Sequence, residues 1–253
     1  MALEIYRPEV TTGAVYYNNP GKAPSLKYNH DVDLIRFKGR FFASWNANET
    51  GAEGVPGQYN FLSISDDFKA WTPPVRLFSA EAGCENPVES DNQWQPAFIN
   101  LEDETLFCAW CDFIARKVYI SESKDGIHWK NREVANSPKS LSGLACGFPT
   151  NHGLRTRRGL LLFPCSLPFT DSPRGDFGRT QYAGMLASRD WGAHWEWSEP
   201  IEANPWTEIE GEAGLPGGDI LRLWEPSVYE EPDGTLALLI RNASSMSIPE
   251  RKP

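Results

Sequence analysis

One short pattern, Ser-x-Asp followed by a turn and a tryptophan, occurs three times along this chain. The copies occupy residues 65–71, 123–129 and 188–195, and their tryptophans lie 58 and then 66 residues apart. A repeat of about this length is typical of architectures in which each unit is one supersecondary element packed against the next. The repeat therefore restricts the chain to a modular fold.

Each copy follows a strand-like run, and a second series of strand openings comes earlier in each repeat. These openings lie at 28–34, 93–98, 150–154 and 223–228, and each runs through a polar turn into a second apolar strand. Short strands separated by turn residues, without helical periodicity, indicate four-stranded sheets arranged radially. We therefore predict an all-β fold, a β-propeller. Turns and strand openings of this kind also account for the many Trp, Gly and Pro residues.

The three segments resemble the Asp boxes, or BNR repeats, of the sialidase superfamily, and the resemblance covers about residues 25–245. It implies a ring of six or seven blades. We assign blades to about 25–80, 90–137, 145–203 and 220–245 within a single domain over 1–253, which makes about three and a half blades. We expect a C-terminally incomplete propeller whose open sheet edges favour self-association.

The charge and hydropathy of the chain exclude several classes of partner. There are 34 acidic and 24 basic side chains, a net charge of −10, which argues against binding to nucleic acid or to an anionic membrane. No apolar run approaches the roughly 18 residues of a membrane helix. The first five residues lack the features of a secretory signal, so we expect either a cytoplasmic protein or a secreted or periplasmic one that has lost its leader.

The five cysteines do not indicate a disulfide framework, because their number is odd. Cys108 and Cys111 have the spacing of a CxxC motif but lie in a predicted strand. Residues three apart in a strand point to opposite faces. We therefore expect buried thiols that do not share a metal.

A pocket is expected where the inner strands of the blades begin, because the second strands end at the same face. His30 and His152 open two inner strands and share an Asn-His dipeptide. The other side chains expected at this face are Gln95, Glu225, Asn46, Asn48, Asp112, Ser166 and Arg241. Loops at about 46–58 and 166–181 are expected to form its rim. His128 and His194 lie inside boxes, and we interpret them as structural.

Several sialidase features are missing from the chain. At the position that resembles the Tyr-Arg-Ile-Pro opening of those enzymes, this sequence reads Tyr-Asn-His-Asp (28–31). Residues 55–60, where their catalytic acid would lie, contain no carboxylate. Glu225 and Arg241 do match the general base and second arginine of that family. The Asn-His opening and Pro-Gly-Gln at 56–58 look more like the rhamnosidase and rhamnose–glucuronate lyase branch, which implies hydrolysis or β-elimination at a rhamnose- or uronate-type linkage.

That resemblance implies specific roles for pocket residues. We predict His30 as general base, His152 as a second acid/base or an orienting group, and Arg241 as the group that binds a substrate carboxylate. Side chains expected to hydrogen-bond sugar hydroxyls are Asn29, Gln58, Gln95, Asn151 and Glu225. Trp94 and Trp224 either stack on sugar rings or pack between blades.

Other interpretations of the same residues stay open. The two histidines also fit a polar plug that hydrogen-bonds strand ends, and Glu225 with Arg241 fits an ion pair that closes a blade. The expected partner is an oligo- or polysaccharide. The alternatives to glycan cleavage are a non-catalytic carbohydrate-binding or scaffold propeller, and an exo-sialidase.

No cofactor is required by the predicted chemistry, although Ca²⁺ at the channel is possible. No stretch has the ligand spacing of a calcium hand. We interpret Asp31 and Asp33 as a solvated strand edge.

Overall fold

The computed structural model describes residues 10, 12–17, 24–134, 147–168, 181–201 and 223–242. These ranges contain strands and turns but no helix, which confirms the all-β prediction. The strands are β1 (Tyr28–Phe37), β2 (Arg40–Asn48), β3 (Tyr59–Ser65), β4 (Val75–Arg76), β5 (Gln93–Leu101), β6 (Thr105–Asp112), β7 (Lys117–Ser123), β8 (Lys130–Val134), β9 (Phe148–Pro149), β10 (Leu154–Arg155), β11 (Leu161–Pro168), β12 (Gln181–Ser188), β13 (Glu196–Trp197), β14 (Leu223–Glu230) and β15 (Leu236–Asn242).

The strands form four antiparallel sheets in chain order. Sheet 1 has the order β1-β2-β3-β4 and sheet 2 the order β5-β6-β7-β8. Sheet 3 has the order β10-β11-β12-β13, with β9 also paired to β11, and sheet 4 consists of β14 and β15. In sheets 1 and 2 each strand pairs with the next one along the chain, and β1 turns into β2 at Lys38-Gly39, where both residues have positive φ.

The apolar cores lie between consecutive sheets. Phe42 and Leu62 of sheet 1 pack with Trp110 of sheet 2, and the opposite face of sheet 2 packs against Phe163 and Leu186 of sheet 3. Burial on both faces explains why β6 is apolar from Leu106 to Cys111 instead of alternating with polar residues.

The two cysteines of the CxxC spacing belong to different cores. Cys108 lies in the core between sheets 1 and 2, whereas Cys111 lies in the core between sheets 2 and 3. Both thiols are free and buried. The prediction that they point to opposite faces of a strand is confirmed, so they do not form a shared metal or redox pair.

The Ser-x-Asp segments are tight turns that satisfy their own backbone. In the second copy Asp125 Oδ1 accepts hydrogen bonds from Ile127 N and His128 N, both at 2.8 Å, and a third bond from Ser123 Oγ at 3.1 Å. Asp190 Oδ1 accepts from His194 N at 2.8 Å and Ser188 Oγ at 2.9 Å in the third copy. These aspartates cap backbone N–H groups in the manner of an Asx turn.

A glycine in two of these turns lets an aromatic ring of the preceding sheet approach the backbone. A Cβ on Gly126 would lie 2.2 Å from Cε1 of Phe42, and one on Gly192 would lie 2.3 Å from Cζ of Phe107. Both glycines have positive φ, 78° and 89°. We call this close packing of a turn glycine against an aromatic ring an interlock. It joins sheet 2 to sheet 1 and, in the same way, sheet 3 to sheet 2.

Within the described ranges, no helix has the length and apolar character needed to cross a membrane.

Candidate functional site

The first strand of three sheets carries a β-bulge near its start. The pairing shifts between His30 and Asp33 in β1, between Trp94 and Ala97 in β5, and between Trp224 and Ser227 in β14. In each strand the first residue of the bulge has a left-handed backbone conformation, with φ of 51° at Asp31, 49° at Gln95 and 48° at Glu225. Such conformations are uncommon outside glycine and point to a specific local role.

The three bulges line one cleft of about 580 Å³, together with the opening of sheet 3. Its lining residues are His30, Asp31, Glu53, Trp94, Gln95, Phe148, Thr150, Asn151, Trp224, Glu225 and Arg241. Of the nine side chains predicted at this face, the cleft lining contains four, which are His30, Gln95, Glu225 and Arg241.

His30 forms one wall of the cleft with two carboxylates. Its Nδ1 lies 3.0 Å from Asp31 Oδ2 and 3.2 Å from Glu53 Oε1. His30 is 48% exposed and Asp31 is 14% exposed. Carboxylates at these distances favour a proton on Nδ1, and a neutral ring protonated there presents Nε2 as an acceptor.

Glu53 is held in position by its loop, which crosses from β2 to β3. Asn48 Oδ1 accepts hydrogen bonds from Thr50 N and Gly51 N, both at 3.0 Å, and Asn48 Nδ2 donates to Ala52 O at 2.6 Å. Gly54 packs so closely on Trp94 that a Cβ there would lie 2.9 Å from the indole. The loop predicted as part of the rim is therefore a fixed element that carries a carboxylate into the cleft.

Burial and neighbouring charge perturb two acids of this wall. Burial, the largest effect, and the charges of Glu53 and Glu225 raise the pKa of Asp31 to about 6, while His30 and a hydrogen bond from Gln95 act in the opposite direction. Burial and a hydrogen bond to Glu53 raise the pKa of Tyr28 well above its usual range. Tyr28 therefore remains a neutral donor to Glu53.

Asp31 is also held from below by a buried amide. The Asn46 amide satisfies its hydrogen bonds when its nitrogen faces Asp31 and His30. In this orientation it donates to Asp31 Oδ2 at 3.1 Å and to His30 O at 3.2 Å. Asn46 is fully buried in β2, as is expected of a residue that supports a site rather than contacts a ligand.

The opposite wall is an ion pair between β14 and β15. Arg241 Nη1 donates to Glu225 Oε2 at 2.7 Å, and Arg241 is 54% exposed. Glu225 is fixed by its own backbone, because Glu225 N donates to Ser166 Oγ of sheet 3 at 2.9 Å. The guanidinium thus has one carboxylate partner and donors left over that face solvent.

Asn151 and Thr150 line the cleft but also join sheet 3 to sheet 4. Asn151 Nδ2 donates to Pro226 O at 2.9 Å, and Thr150 Oγ1 donates to the same oxygen at 2.9 Å. The aromatic walls are packed in a similar way, with Trp224 edge-on to Phe148 at 5.4 Å. Trp94 is buried in the core between sheets 2 and 3. Both tryptophans therefore pack between sheets and also line the cleft, and stacking on a sugar ring stays a prediction.

Two residues predicted to bind sugar serve the fold. Asn29 accepts from Trp45 Nε1 at 2.9 Å and donates to Leu26 O at 3.1 Å. Gln58 is fully buried, accepts from Gly54 N at 2.8 Å and donates to Gln93 O at 3.1 Å. Neither side chain belongs to the lining of the cleft, so sugar binding by these two amides stays a prediction without support from this geometry. Asp112 likewise accepts from Ala115 N at 2.9 Å and closes a turn.

His152 is not equivalent to His30, although the two share the Asn-His dipeptide. Pro149 of β9 pairs with Cys165, and Leu154 of β10 pairs with Leu162. The chain therefore advances five residues from β9 to β10 while β11 opposite advances three. The bulges of the other sheets have three steps against two. With this additional residue in its bulge, His152 is not among the residues that line the cleft, so its predicted role there stays a prediction that this geometry does not support.

His152 instead pairs with Asp33, which is 11% exposed. Asp33 Oδ1 lies 2.8 Å from His152 Nδ1, and Asp33 Oδ2 accepts from Phe98 N at 2.6 Å. Interpreting Asp33 as a solvated strand edge is therefore wrong, because this carboxylate joins sheets 1, 2 and 3. Burial lowers the pKa of His152, but the hydrogen bond and charge of Asp33 outweigh that effect, and the pKa is raised above 6.5.

This pair predicts a pH-dependent contribution to stability. A histidine whose pKa is raised on folding stabilises the fold fully below its unfolded pKa, about 6.5, and loses this contribution as the pH rises through the folded value. In the parent, the unfolding free energy is expected to fall by about 0.5 kcal/mol as the pH rises above 6.5, a small value because the imidazole is half exposed. In His152→Gln this fall should be absent. Urea denaturation at several pH values measures it, and an unchanged slope in the variant contradicts the assignment.

Sequence reasoning missed Asp31 and Glu53 as site residues. Asp31 occupies the same bulge position as Gln95 and Glu225, so alignment of the strand openings by bulge, rather than by the Asn-His dipeptide, identifies it. Glu53 has no such signal, because only the folded loop brings it to His30. The other predicted rim loop, about 166–181, lies mostly outside the described residues.

No family model matches this sequence, and a comparison with curated proteins finds no match. Similarity appears among solved structures. A protein of unknown function from Dyadobacter fermentans has 19% identity and a TM-score of 0.63, over 90% of this chain and 65% of its own. The sialidase of Trypanosoma rangeli, bound to 2,3-difluorosialic acid as a covalent intermediate, has 13% identity and a TM-score of 0.57, over 85% of this chain and 34% of its own.

A third similar structure is the α-L-arabinofuranosidase of Lactobacillus brevis, with 14% identity and a TM-score of 0.54, over 87% of this chain and 66% of its own. This chain spans less than two thirds of each of the three proteins. At such identities the likeness concerns the fold alone. The number of blades and the resemblance to the rhamnosidase and lyase branch stay predictions. What the likenesses show is an all-β chain of antiparallel sheets with the fold of sialidase-type propellers.

Proposed function

We propose that the cleft binds an acidic glycan and cleaves a glycosidic linkage beside a uronate-type sugar. The observation that carries this proposal is the arrangement of the two walls. His30 is oriented by two carboxylates on one wall, and the half-exposed guanidinium of Arg241 faces the same cleft from the other. Similar solved structures that include a sialidase and an arabinofuranosidase support a carbohydrate ligand.

Arg241 would bind the carboxylate of the sugar. A guanidinium offers five donors in a fixed plane, and Glu225 uses only part of that set. Glu225 keeps the guanidinium in place, and its remaining acceptor capacity suits a sugar hydroxyl. The cleft also contains three carboxylates, so substrate binding relies on this local pairing and not on a basic surface.

His30 would be the base, through Nε2. In β-elimination it takes the proton on the carbon next to the uronate carboxylate, a carbon–carbon double bond forms, and the bond to the leaving sugar oxygen breaks with its electron pair. The leaving oxygen then takes a proton from water, and His30 returns its own proton to solvent. In hydrolysis it takes a proton from water, the water oxygen bonds to the anomeric carbon, and that proton ends on the leaving oxygen. In both reactions Asp31 and Glu53 fix the tautomer, as the carboxylate does in a catalytic triad.

Product analysis on defined oligosaccharides tests the proposal. The protein is first treated with a chelator to remove bound metal. It is then incubated separately with rhamnose–glucuronate and other uronate-linked oligosaccharides, with their neutral counterparts, and with a fluorogenic sialoside. We expect new reducing ends from the acidic substrates alone, accompanied by ultraviolet absorbance of an unsaturated uronate if the reaction is an elimination. No signal is expected from the sialoside, because the cleft's described lining contains one arginine where a sialidase uses three.

Matched arginine variants make the test specific. Arg241→Gln is expected to raise KM for acidic substrates about a hundred-fold, in line with the loss of a bidentate charged contact. Arg157→Gln, which removes a guanidinium paired with Glu230 outside the cleft, is the control and should behave like the parent. Binding of the acidic glycan without any new reducing end would replace the enzyme proposal by a carbohydrate-binding one, and failure of both would reject the site.

A further inference from the structure

The wall formed by His30, Asp31 and Glu53 has the dimensions of a metal site. One potential ligand atom from each residue lies within 4.8 Å of the other two, and Nδ1 of His30 is 3.0 and 3.2 Å from the two carboxylate oxygens. Ligands bound to zinc at about 2.1 Å lie about 3.4 Å apart in a tetrahedron. The two distances from Nδ1 are close to this spacing, and the two carboxylate oxygens lie within 4.8 Å of each other.

A second feature beside this wall also indicates a cation. Gln95 is only 4% exposed, it lines the cleft and it hydrogen-bonds Asp31, yet its Oε1 is buried and has no hydrogen-bond partner. A buried amide oxygen without a donor is costly, and such atoms in native structures commonly mark an ion or a bound molecule. This oxygen is independent of the acidic cluster, because it lies on β5 of the neighbouring sheet.

We propose that His30, Asp31 and Glu53 bind a divalent transition-metal ion of the zinc type in this cleft. The donor set decides the class of metal. Imidazole nitrogen favours zinc and its transition-metal neighbours, whereas calcium takes oxygen ligands in greater number. The carbonyl oxygen of Gln95 is a further oxygen donor beside the three.

Other histidines with acidic partners lack this arrangement. His128 lies 2.7 Å from Asp125 and His194 lies 2.6 Å from Asp190, but each has a single carboxylate, which already accepts backbone hydrogen bonds in its turn. Among the described residues, one group of three potential ligands meets the distance requirement.

Metal and proton compete for the same nitrogen. An ion on Nδ1 takes the place of the proton shared with the carboxylates, so Nε2 then carries a proton and donates instead of accepting. Zinc is therefore expected to suppress the base role proposed for His30. The metal inference itself does not rest on the proposed function, because its test uses no substrate.

The experiment measures binding directly. The full chain is treated with a chelator, desalted and titrated with Zn²⁺, Co²⁺ and Ca²⁺ by calorimetry, and metal content after dialysis is determined by mass spectrometry. We expect one tightly bound Zn²⁺ per chain, a visible Co²⁺ spectrum with a nitrogen ligand, and Ca²⁺ binding at least about ten-fold weaker. Zn²⁺ should also raise the thermal unfolding temperature in a concentration-dependent manner.

Two variants with one control locate the ion. Glu53→Gln and Gln95→Leu are each expected to weaken Zn²⁺ binding about ten-fold or more, whereas Glu49→Gln, an exposed carboxylate on the same loop, should leave it unchanged. Equal zinc binding in Glu53→Gln and the parent would assign the ion elsewhere and overturn the proposal, as would the absence of binding in the parent. Absence of glycan cleavage by the metal-free parent, in a protein that does bind zinc, would reject only the proposed function.

Discussion

Replacement of His30 by alanine is expected to lower kcat/KM of the proposed cleavage about a thousand-fold, the usual loss when a general base is removed. The loss should fall on kcat rather than KM, because the imidazole accepts a proton during the reaction while Arg241 supplies substrate binding. Stability should change by no more than about 0.5 kcal/mol, since the side chain is half exposed and lies outside the described cores. Initial rates on chelated protein and thermal unfolding provide the two measurements.

Controls separate a base from a structural histidine. Added imidazole should restore part of the activity of His30→Ala, which a merely structural defect would not permit. His194→Ala removes a histidine that lies in a turn and not in the cleft, and it should retain full activity. Full activity in His30→Ala would show that another group accepts the proton.

Gly192→Ala is expected to lower the free energy of unfolding by about 2–4 kcal/mol, the largest stability effect of any substitution considered. The new Cβ would lie 2.3 Å from Cζ of Phe107, which is buried in the core between sheets 2 and 3 and has no room to move. Overpacking of this kind costs about 1–3 kcal/mol, and the positive φ of 89° adds about 1 kcal/mol. Chemical denaturation measures the sum.

Gly159→Ala is the matched control for this substitution. Gly159 also lies in a turn and has a φ of 83°, but its nearest neighbour would be 3.6 Å from the added Cβ. It should lose only the backbone contribution, about 1 kcal/mol. Similar losses in the two variants would show that the interlock with Phe107 contributes little to stability.

The fold could be predicted because its signals are local. Strand length, turn residues and the repeated Ser-x-Asp segments depend on neighbours in sequence, and the placement of Cys108 and Cys111 follows from the alternation of a strand. Glu225 and Arg241 were also predictable, because one lies at the start of β14 and the other at the end of β15. Strand ends in consecutive hairpins meet at the same edge by topology alone.

The details of the site depend on features that residue spacing does not encode. A single additional residue in the bulge of sheet 3 separates His152 from His30, although both follow asparagine. Glu53 reaches His30 only because a loop is held by Asn48 and packed against Trp94. Asn29 and Gln58 have the chemistry to bind sugars, but the folded chain uses their amides for itself.

The three left-handed bulge residues have a consequence for how such proteins diversify. Asp31, Gln95 and Glu225 share nearly the same φ on three different sheets, so the backbone presents three equivalent sockets whose shape does not depend on which side chain fills them. Exchange among acids and amides at a socket changes the charge of the cleft by one unit and leaves the cores between sheets untouched. The charge of the cleft and the packing of the sheets therefore depend on different residues of this chain. Relatives that differ in substrate are expected to differ first at these sockets, whereas the turns that hold the sheets together stay constant.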